Sequence, residues 1–258
     1  MDHKKESEMF NQMADYYDKY RPDYPKKIIN TIIEKVDLHS TSKLLEIGSG
    51  SGKATAQFTG FGFDIICIEP GADLIKNAKK RFQKENISFV NSRFEDYNTP
   101  HKYFDAIVSA QAFHWMPKPD AYEKCAKALR ENGYLAVFWN IEIIENTDFD
   151  RELCKIMHEY NAFTSSMSHE NYVKRTESIS KEIAESGYFA KPQVLHAHWN
   201  KKYSFDEYFG YVSTGNVFVQ NSDEMKKACY EALKQLAREN NGVIARRYVC
   251  ELYLAKKI

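Results

Sequence analysis

An apolar run that stops at three alternating glycines constrains the fold of this chain more than any other feature. Residues 44–52 read Leu-Leu-Glu-Ile-Gly-Ser-Gly-Ser-Gly, and a segment compatible with a helix, residues 53–58, follows. A strand, a glycine-rich turn and a helix are the parts of a nucleotide-binding crossover in α/β folds. Glycine suits such a turn because, without a Cβ atom, it adopts unusual dihedral angles and lets a ligand approach the backbone closely. The pattern predicts a nucleoside site at the end of a buried strand.

The spacing of these glycines differs from that of dinucleotide-binding loops. The fingerprint of those loops, G-x-G-x-x-G, requires a small residue at position 53. This chain has Lys53 there, and its third glycine, Gly52, lies one place earlier. Glu46 lies two residues before the first glycine, where its carboxylate would repel a pyrophosphate. Both features favour a nucleoside that carries an ammonium or sulfonium, and they argue against an oxidoreductase with a dinucleotide cofactor.

Apolar runs alternate with helical patterns along most of the chain. Strands are predicted at residues 44–47, 65–68, 87–90, 104–109, 134–139, 192–203 and 242–255. Helices are predicted at residues 8–21, 26–36, 74–82, 121–129, 205–214 and 223–239. The first two strands are apolar throughout, as strands buried on both faces are. This alternation predicts an α/β, Rossmann-like doubly wound fold with a mostly parallel sheet and right-handed crossovers.

The alternation breaks after residue 140, which suggests a division of the chain into three parts. Residues 1–146 are predicted to form the Rossmann-like, nucleoside-binding core with N-terminal cap helices. Residues 147–187 are polar, helical in character and without an obvious strand, so we interpret them as a helical insertion. Such an insertion would form a lid on the substrate side of the ligand crevice. Residues 188–258 are predicted to supply the last strands and helices that complete the core sheet.

The balance of charge argues against a nucleic-acid partner. Lysine plus arginine and aspartate plus glutamate number 36 each, so the formal net charge is zero. Proteins that bind nucleic acids need a basic face to neutralise phosphates. The short basic clusters of this chain lie near acidic residues and are interpreted as solvated faces.

The remaining composition favours a cytoplasmic protein without a metal site. No stretch of the chain approaches the ~20 apolar residues of a membrane span, and the polar N-terminus has no secretory signal. The five cysteines are odd in number and scattered, and no CxxC pair suggests zinc or a disulfide framework. His196 and His198 alternate on a predicted strand, but no third metal ligand is evident. We therefore predict a reducing, cytoplasmic location and no membrane or metal partner.

Ligands bind at the carboxyl ends of the strands in open parallel sheets, so the residues that follow each strand are the candidates for binding. Glu69, followed by Pro70, ends the second predicted strand, and its carboxylate can accept hydrogen bonds from both hydroxyls of a ribose. The alternative interpretation is that Glu69 is an acidic residue at a helix N-terminus, where the helix dipole stabilises its charge. Near the third strand, Phe94 and Glu95 offer an apolar face and an acceptor to a purine. The alternative for Phe94 is a position in the core.

Several further motifs match one family at the expected intervals over residues 10–140. They are Tyr17-Asp18, Arg21-Pro22, Tyr24-Pro25, Leu45 to Lys53, Glu69-Pro70, Phe94-Glu95, Ala110 to Trp115 and Phe138 to Asn140. With these motifs the chain resembles the class I S-adenosylmethionine-dependent methyltransferases, and in particular the small-molecule group that includes trans-aconitate methyltransferase-like proteins. The resemblance implies methyl transfer from S-adenosylmethionine, with S-adenosylhomocysteine as the product.

The resemblance also implies which residues bind the cofactor. The residues concerned are Tyr17, Arg21, Glu46, Gly48, Ser49, Gly50, Glu69, Pro70, Phe94, Glu95, Ala110 and Gln111. Glu46 and the glycine loop would line the methionine end, Glu69-Pro70 the ribose and Phe94-Glu95 the adenine, while Ala110 and Gln111 would lie beside the sulfonium and the amino group. Tyr17 would face the sulfonium as an aromatic ring, or else pack the N-terminal helix onto the sheet. Arg21 would pair with the cofactor carboxylate, or else end a helix.

The acceptor side is predicted from residues that follow the fourth and fifth strands. His114 is the candidate catalytic base, because imidazole titrates near neutrality, and the alternative is that it walls the pocket. Trp115, Trp139, Asn140 and Tyr203 are predicted to line the acceptor site. The predicted function is methyl transfer to a small molecule of unknown identity, with the oligomeric state unspecified. The alternatives are a protein that binds and senses S-adenosylmethionine without methyl transfer, or an RNA methyltransferase.

Overall fold

The computed structural model describes residues 14–83, 86–162 and 164–258. The strands are β1 (Lys43–Ile47), β2 (Asp64–Glu69), β3 (Ile87–Asn91), β4 (Phe104–Ala110), β5 (Leu129–Ile144), β6 (Ser166–Ser168), β7 (Gln193–Ser204) and β8 (Val243–Lys256). The helices are α1 (Ala14–Tyr20), α2 (Lys26–Val36), α3 (Ala72–Arg81), α4 (Asp120–Ala128), α5 (Asp148–Glu159), α6 (His169–Glu185), α7 (Phe205–Val212), α8 (Asn216–Val219) and α9 (Asp223–Glu239). Short 3₁₀ turns cover Thr55–Gln57 and Phe113–Trp115.

The strands form one mixed sheet in the order β3-β2-β1-β4-β5-β8-β7, and β6 pairs with the end of β5. Strands β1 to β5 run parallel, whereas β8 is antiparallel to both β5 and β7. The strand order reverses between β1 and β4, and a crevice at such a reversal is where open α/β sheets bind ligands. The predicted doubly wound, mostly parallel α/β fold is confirmed.

Helices cover both faces of the sheet because alternate strand residues point to opposite faces. Helix α2 buries Ile28, Ile29 and Ile32 in a core that includes Phe138. Helices α4 and α6 bury apolar side chains on the other face, in the core that contains Val137 of β5. Adjacent residues 137 and 138 therefore face different cores. None of the described helices has the length and apolarity needed to cross a membrane.

A third core lies above the end of the sheet formed by β5, β7 and β8. It unites helices α5, α7, α8 and α9, which we call the cap. Inside this core Arg246 of β8 binds the carboxylates of Glu142 and Asp150, the former through Nε at 2.6 Å. The three side chains are at most 6% exposed. Burying charges in this way requires such pairing, because an unpaired buried charge is strongly unfavourable.

Two predictions differ from the structure. The segment 53–58 forms only the short turn Thr55–Gln57 instead of a helix, since Gly60 (φ 82°) and Gly62 (φ 83°) take the chain into the left-handed region shortly afterwards. The segment 147–187, predicted as one helical lid, divides into two parts. Helix α5 belongs to the cap, but Tyr172 and Ile183 of α6 are buried in the core on the sheet, and Thr176 contacts Glu251 of β8. The segment also contains strand β6, contrary to the prediction that it has no strand, and its role as a lid stays a prediction.

Candidate active site

The glycine loop between β1 and the 3₁₀ turn forms one wall of the crevice. Gly48 has φ 70° and donates its N–H to the Ile68 carbonyl at 2.8 Å. A Cβ atom at Gly48 would lie 2.4 Å from Cβ of Ala112, so the loop approaches the end of β4 too closely for any other residue. A Cβ at Gly50 (φ 57°) would meet nothing within 4 Å. The loop thus packs tightly at its first glycine and leaves open space at its second, where a ligand can approach the backbone.

Glu69 joins the end of β2 to the glycine loop. Its two carboxylate oxygens accept the N–H groups of Gly50, at 2.9 Å, and of Gly71, at 2.8 Å. Burial raises the pKa of Glu69, while these backbone donors oppose the rise. Each carboxylate oxygen has a further lone pair, so the group retains capacity for ligand hydroxyls. Its contact with a ribose stays a prediction.

Glu46 is a second buried carboxylate, beneath the loop. It is 1% exposed, and its Oε2 accepts the Thr55 hydroxyl at 2.6 Å. Burial raises the pKa of Glu46 to about 7, and the nearby charge of Glu69 adds to the rise, whereas the hydrogen bonds from Thr55 and Cys67 oppose it. The group therefore changes its charge within the physiological pH range.

The segment of residues 21–24, which we call the strap, crosses the crevice between α1 and α2. Arg21 donates Nε to the Thr214 hydroxyl at 2.8 Å and Nη2 to the Thr214 carbonyl at 3.2 Å. Asp23 accepts at its carbonyl from Asn140 Nδ2, at 3.1 Å. The Tyr24 ring meets Phe138 edge-on, with centroids 5.0 Å apart. The strap is thereby fixed both to the residues after α7 and to the end of β5.

The crevice under the strap is lined by both acidic and basic side chains. Its lining residues are Arg21, Pro22, Tyr24, Glu46, Gly48, Ser49, Gly50, Ser51, Lys53, Ala54, Ala110, Gln111, Asn140 and Tyr211. Ser49 Oγ and Asn140 Oδ1 are buried there without a hydrogen-bond partner among the described residues. Buried polar atoms are costly unless they are paired, so these two indicate a polar ligand or ordered water in the crevice.

Comparison with known proteins agrees with this geometry. Residues 45–137 match the family described as "Methyltransferase domain". A methyltransferase of Dictyostelium discoideum is 31% identical over 153 residues, which are 58% of this chain and 54% of that protein. A Saccharomyces cerevisiae protein named as an S-adenosylmethionine-dependent methyltransferase is 29% identical over 143 residues, 54% of this chain and 48% of its own length. The chain thus spans about half the length of the curated relatives it matches.

The same fold occurs in solved structures. One from Anaeromyxobacter dehalogenans, described as a type II methyltransferase, superposes with a TM-score of 0.63 at 15% identity and covers 91% of this chain and 97% of its own. Residues 45–137 belong to a methyltransferase domain. The relatives and the shared fold support the resemblance to the class I S-adenosylmethionine-dependent methyltransferases that the sequence indicated.

The crevice of the methyltransferase domain brings together eight of the predicted site residues. They are Arg21, Glu46, Gly48, Ser49, Gly50, Ala110, Gln111 and Asn140. Gln111 adopts φ 57° and donates Nε2 to the Asn140 carbonyl at 3.1 Å, which joins the ends of β4 and β5. Glu69 and Pro70 border the loop without lining the crevice. The side chain of Tyr17 lies outside the described part of the chain.

The predicted adenine contacts occupy different environments. Phe94 is 3% exposed in the core, and the Lys124 ammonium lies 5.1 Å from its ring centroid. Glu95 is half-exposed and pairs with Arg93 at 2.8 Å. Neither residue is among those that line the crevice. Both roles stay predictions.

His114 and two tryptophans lie together beyond β4. The Trp139 indole N–H donates to Nδ1 of His114 at 3.1 Å, and the His114 ring lies 4.6 Å from that of Trp115. An imidazole nitrogen that accepts an N–H has a free lone pair, so the proton of the neutral ring is on Nε2. This contact orients the His114 ring through Nδ1, and the role of His114 as catalytic base stays a prediction.

The structure places Tyr203 deep in the cap core, where its hydroxyl lies 2.7 Å from that of Tyr248. Tyr211 of α7, which the sequence analysis did not single out, lines the crevice and stacks on Tyr203. Nothing in the local pattern distinguishes Tyr211 from other aromatic residues of that helix. Within the described ranges, no group of three or more possible ligands could hold a metal ion.

Proposed function

We propose that this protein transfers a methyl group from S-adenosylmethionine to a small-molecule acceptor. The observation that supports it best is the crevice beside the glycine loop, in which acceptors (Glu46 and Asn140 Oδ1) and cations (Arg21 and Lys53) line one space. The methionine part of this cofactor carries an ammonium and a carboxylate, so it needs both kinds of partner. A diphosphate would not match the buried carboxylate of Glu46.

In this proposal the cofactor, when bound, supplies a methyl group on a reactive sulfonium. The protein's task is to hold the donor and acceptor in line and to exclude water. The glycine loop positions the ligand through backbone contact, Glu69 holds that loop against β2, and Glu46 faces the ammonium. The strap covers the crevice through its bonds to Thr214 and Asn140.

The acceptor is proposed to enter between the strap and the cap, beside Asn140 and Tyr211. His114 is proposed to face the acceptor, with Trp115 as its neighbour. The cap, including α5, then takes the place of the predicted lid. The zero formal charge supports a small molecule over RNA, and the cytoplasmic location remains part of this proposal.

The test is a pair of measurements on the full chain. Calorimetry should show binding of S-adenosylmethionine and S-adenosylhomocysteine and no binding of nicotinamide dinucleotides. A screen of small methyl acceptors, followed by release of S-adenosylhomocysteine, should then identify turnover. A Glu69→Ala variant should keep the fold and bind the cofactor more weakly. A folded protein that ignores S-adenosylmethionine would contradict the proposal, whereas tight binding without turnover on any acceptor would favour a sensor.

A further inference from the structure

Lys53 occupies an unusual place for a lysine. It follows the third glycine of the loop, its side chain lines the crevice, and only 14% of that side chain is exposed. Lysines are mostly solvent-exposed, and a largely buried ammonium needs oxygen partners. In the sequence, Lys53 argues against a dinucleotide-binding loop, but the sequence alone assigns no function to this side chain. Its position in the crevice suggests one.

The partner of Lys53 in the structure leaves part of its hydrogen-bonding capacity unused. Nζ lies 3.2 Å from Oδ1 of Asp23, which is on the strap and has 68% of its side chain exposed. An ammonium has three donors, so one bond to Asp23 leaves others for a ligand. Because Asp23 is well solvated, the pair does little to stabilise the fold. It does hold the ammonium at the edge of the crevice.

Arg21, the cation predicted to bind the cofactor carboxylate, also lines the crevice but is bonded to Thr214. Its Nε and Nη2 both donate to Thr214, and its guanidinium lies 5.2 Å from the Tyr211 ring centroid. These contacts hold the strap to the residues that follow α7. Of the two cations that line the crevice, Lys53 is attached to the glycine loop itself, and Arg21 is attached to the cap.

We infer that Lys53 binds the carboxylate of the cofactor's methionine part, and that Asp23 of the strap positions its ammonium for this contact. The inference rests on the proposed function, because it assigns a further binding residue to the same site. The ammonium and carboxylate of the ligand are joined to one carbon, and Glu46 and Lys53 supply opposite charges to one crevice. Lys53 would then select amino-acid nucleosides over nucleosides without a carboxylate.

A ligand that lacks the carboxylate makes the test specific. Calorimetry on the full chain compares S-adenosylmethionine and S-adenosylhomocysteine with decarboxylated S-adenosylmethionine. Lys53→Met should weaken binding of the first two by about 10- to 100-fold, the effect of losing one charged hydrogen bond. Binding of the decarboxylated ligand should change by less than about 2-fold, because that ligand has no carboxylate to lose contact with. Lys53→Arg should restore part of the lost affinity.

Two variants serve as controls. Lys202→Met makes the same substitution on an exposed residue of β7, away from the crevice, and should leave all three affinities unchanged. Asp23→Asn should weaken S-adenosylmethionine binding less than Lys53→Met, since it loosens the ammonium without removing it. An equal loss of affinity for carboxylated and decarboxylated ligands in Lys53→Met would overturn the inference. Lys53 would then stabilise the conformation of the glycine loop and would not bind the ligand carboxylate. Failure of the wild type to bind any of them would refute the proposed function instead.

Discussion

The glycine loop and the cap core both bury carboxylates, but they satisfy them in different ways. At the loop, Glu46 and Glu69 accept hydrogen bonds from neutral groups, the Thr55 hydroxyl and backbone N–H groups. In the cap core, Glu142 and Asp150 share the guanidinium of Arg246. A buried carboxylate with neutral donors can still change its protonation or attract a cation. For a carboxylate already paired with an arginine, either change has a large free-energy cost.

We therefore expect the glycine loop to respond to ligands and pH, and the cap core to keep its ionisation state. The tyrosines around the cap acids support that reading, because Tyr208 and Tyr248 direct their hydroxyls at Glu142, at 3.4 and 3.3 Å. Burial raises the pKa of both tyrosines well above its usual value, so they remain neutral donors. We therefore expect ligand and pH effects to concentrate at the loop, and large stability effects to concentrate in the cap core.

The largest expected effect comes from removing the cation of the cap core. Arg246→Met leaves Glu142 and Asp150 buried without their charged partner and should lower the free energy of unfolding by about 3–5 kcal/mol. Urea denaturation followed by circular dichroism measures it. The matched control is Arg151→Met, whose partner Asp148 is 98% exposed and whose loss should cost less than about 1 kcal/mol. Equal losses of unfolding free energy in the two variants would contradict this expectation, because the buried ion pairs of Arg246 would then contribute no more than an exposed pair.

The next effect tests whether the loop acids respond to pH. The pKa of Glu46 is about 7 in the folded protein against an ordinary value of 4.5. Its stabilising contribution is therefore complete below pH 4.5 and is lost as the pH rises through 7, at about 1.4 kcal/mol per pH unit between the two values. Glu46→Gln removes this dependence, so the variant should gain about 3 kcal/mol relative to the wild type between pH 4.5 and 8.

Urea denaturation of both proteins at several pH values measures that gain. Parallel pH profiles for the wild type and Glu46→Gln would mean that Glu46 does not titrate in this range, and the contrast with the cap core would disappear. The same titration should appear in binding, because a cation favours the ionised carboxylate. Affinity for S-adenosylmethionine should therefore fall as the pH drops below 7 in the wild type.

The sequence predicted the helices and strands of both regions well, but it predicted the contacts of the loop side better than those of the cap side. Strands β1 to β4 and helix α2 follow apolar runs and helical spacing closely, because their burial is decided by neighbours a few residues away. The crevice also follows from local rules, since the ends of adjacent parallel strands must meet at one edge. The glycine motif and the residues after β4 therefore lie together as predicted.

The contacts inside the cap core could not be predicted in this way. Glu142 and Arg246 are 104 residues apart in the chain, and nothing local indicates that they meet. Helix α6 has a mostly polar sequence, and nothing in it indicated that Arg175 and Thr176 would bind the buried Glu251 of β8. When a polar side chain is buried by a partner that is distant in sequence, the hydrophobic periodicity of its own segment does not reveal it.

A smaller effect tests the packing of the loop against β4. Gly48→Ala and Gly50→Ala both force a residue with a Cβ into the left-handed region, but only the first meets Ala112, at 2.4 Å. Gly48→Ala should therefore lower the free energy of unfolding by about 2 kcal/mol more than Gly50→Ala, because only the first substitution adds a steric clash. Thermal unfolding of the two variants measures the difference. Equal losses would show that the loop can move away from β4.

The smallest effect concerns two tryptophans, Trp139 beside His114 and Trp199 at the cap core. Trp139→Phe removes the N–H that His114 Nδ1 accepts and should cost about 1 kcal/mol, whereas Trp199 stacks on Tyr248 with its N–H unpartnered among the described residues. Trp199→Phe should therefore be close to neutral. The sharper measurement is ¹⁵N NMR of labelled histidine: His114 should be in the Nε2–H form in the wild type and in Trp199→Phe, and should become a mixture of tautomers in Trp139→Phe. An Nδ1–H signal in the wild type would contradict this tautomer and would leave Nε2 as the basic nitrogen of His114.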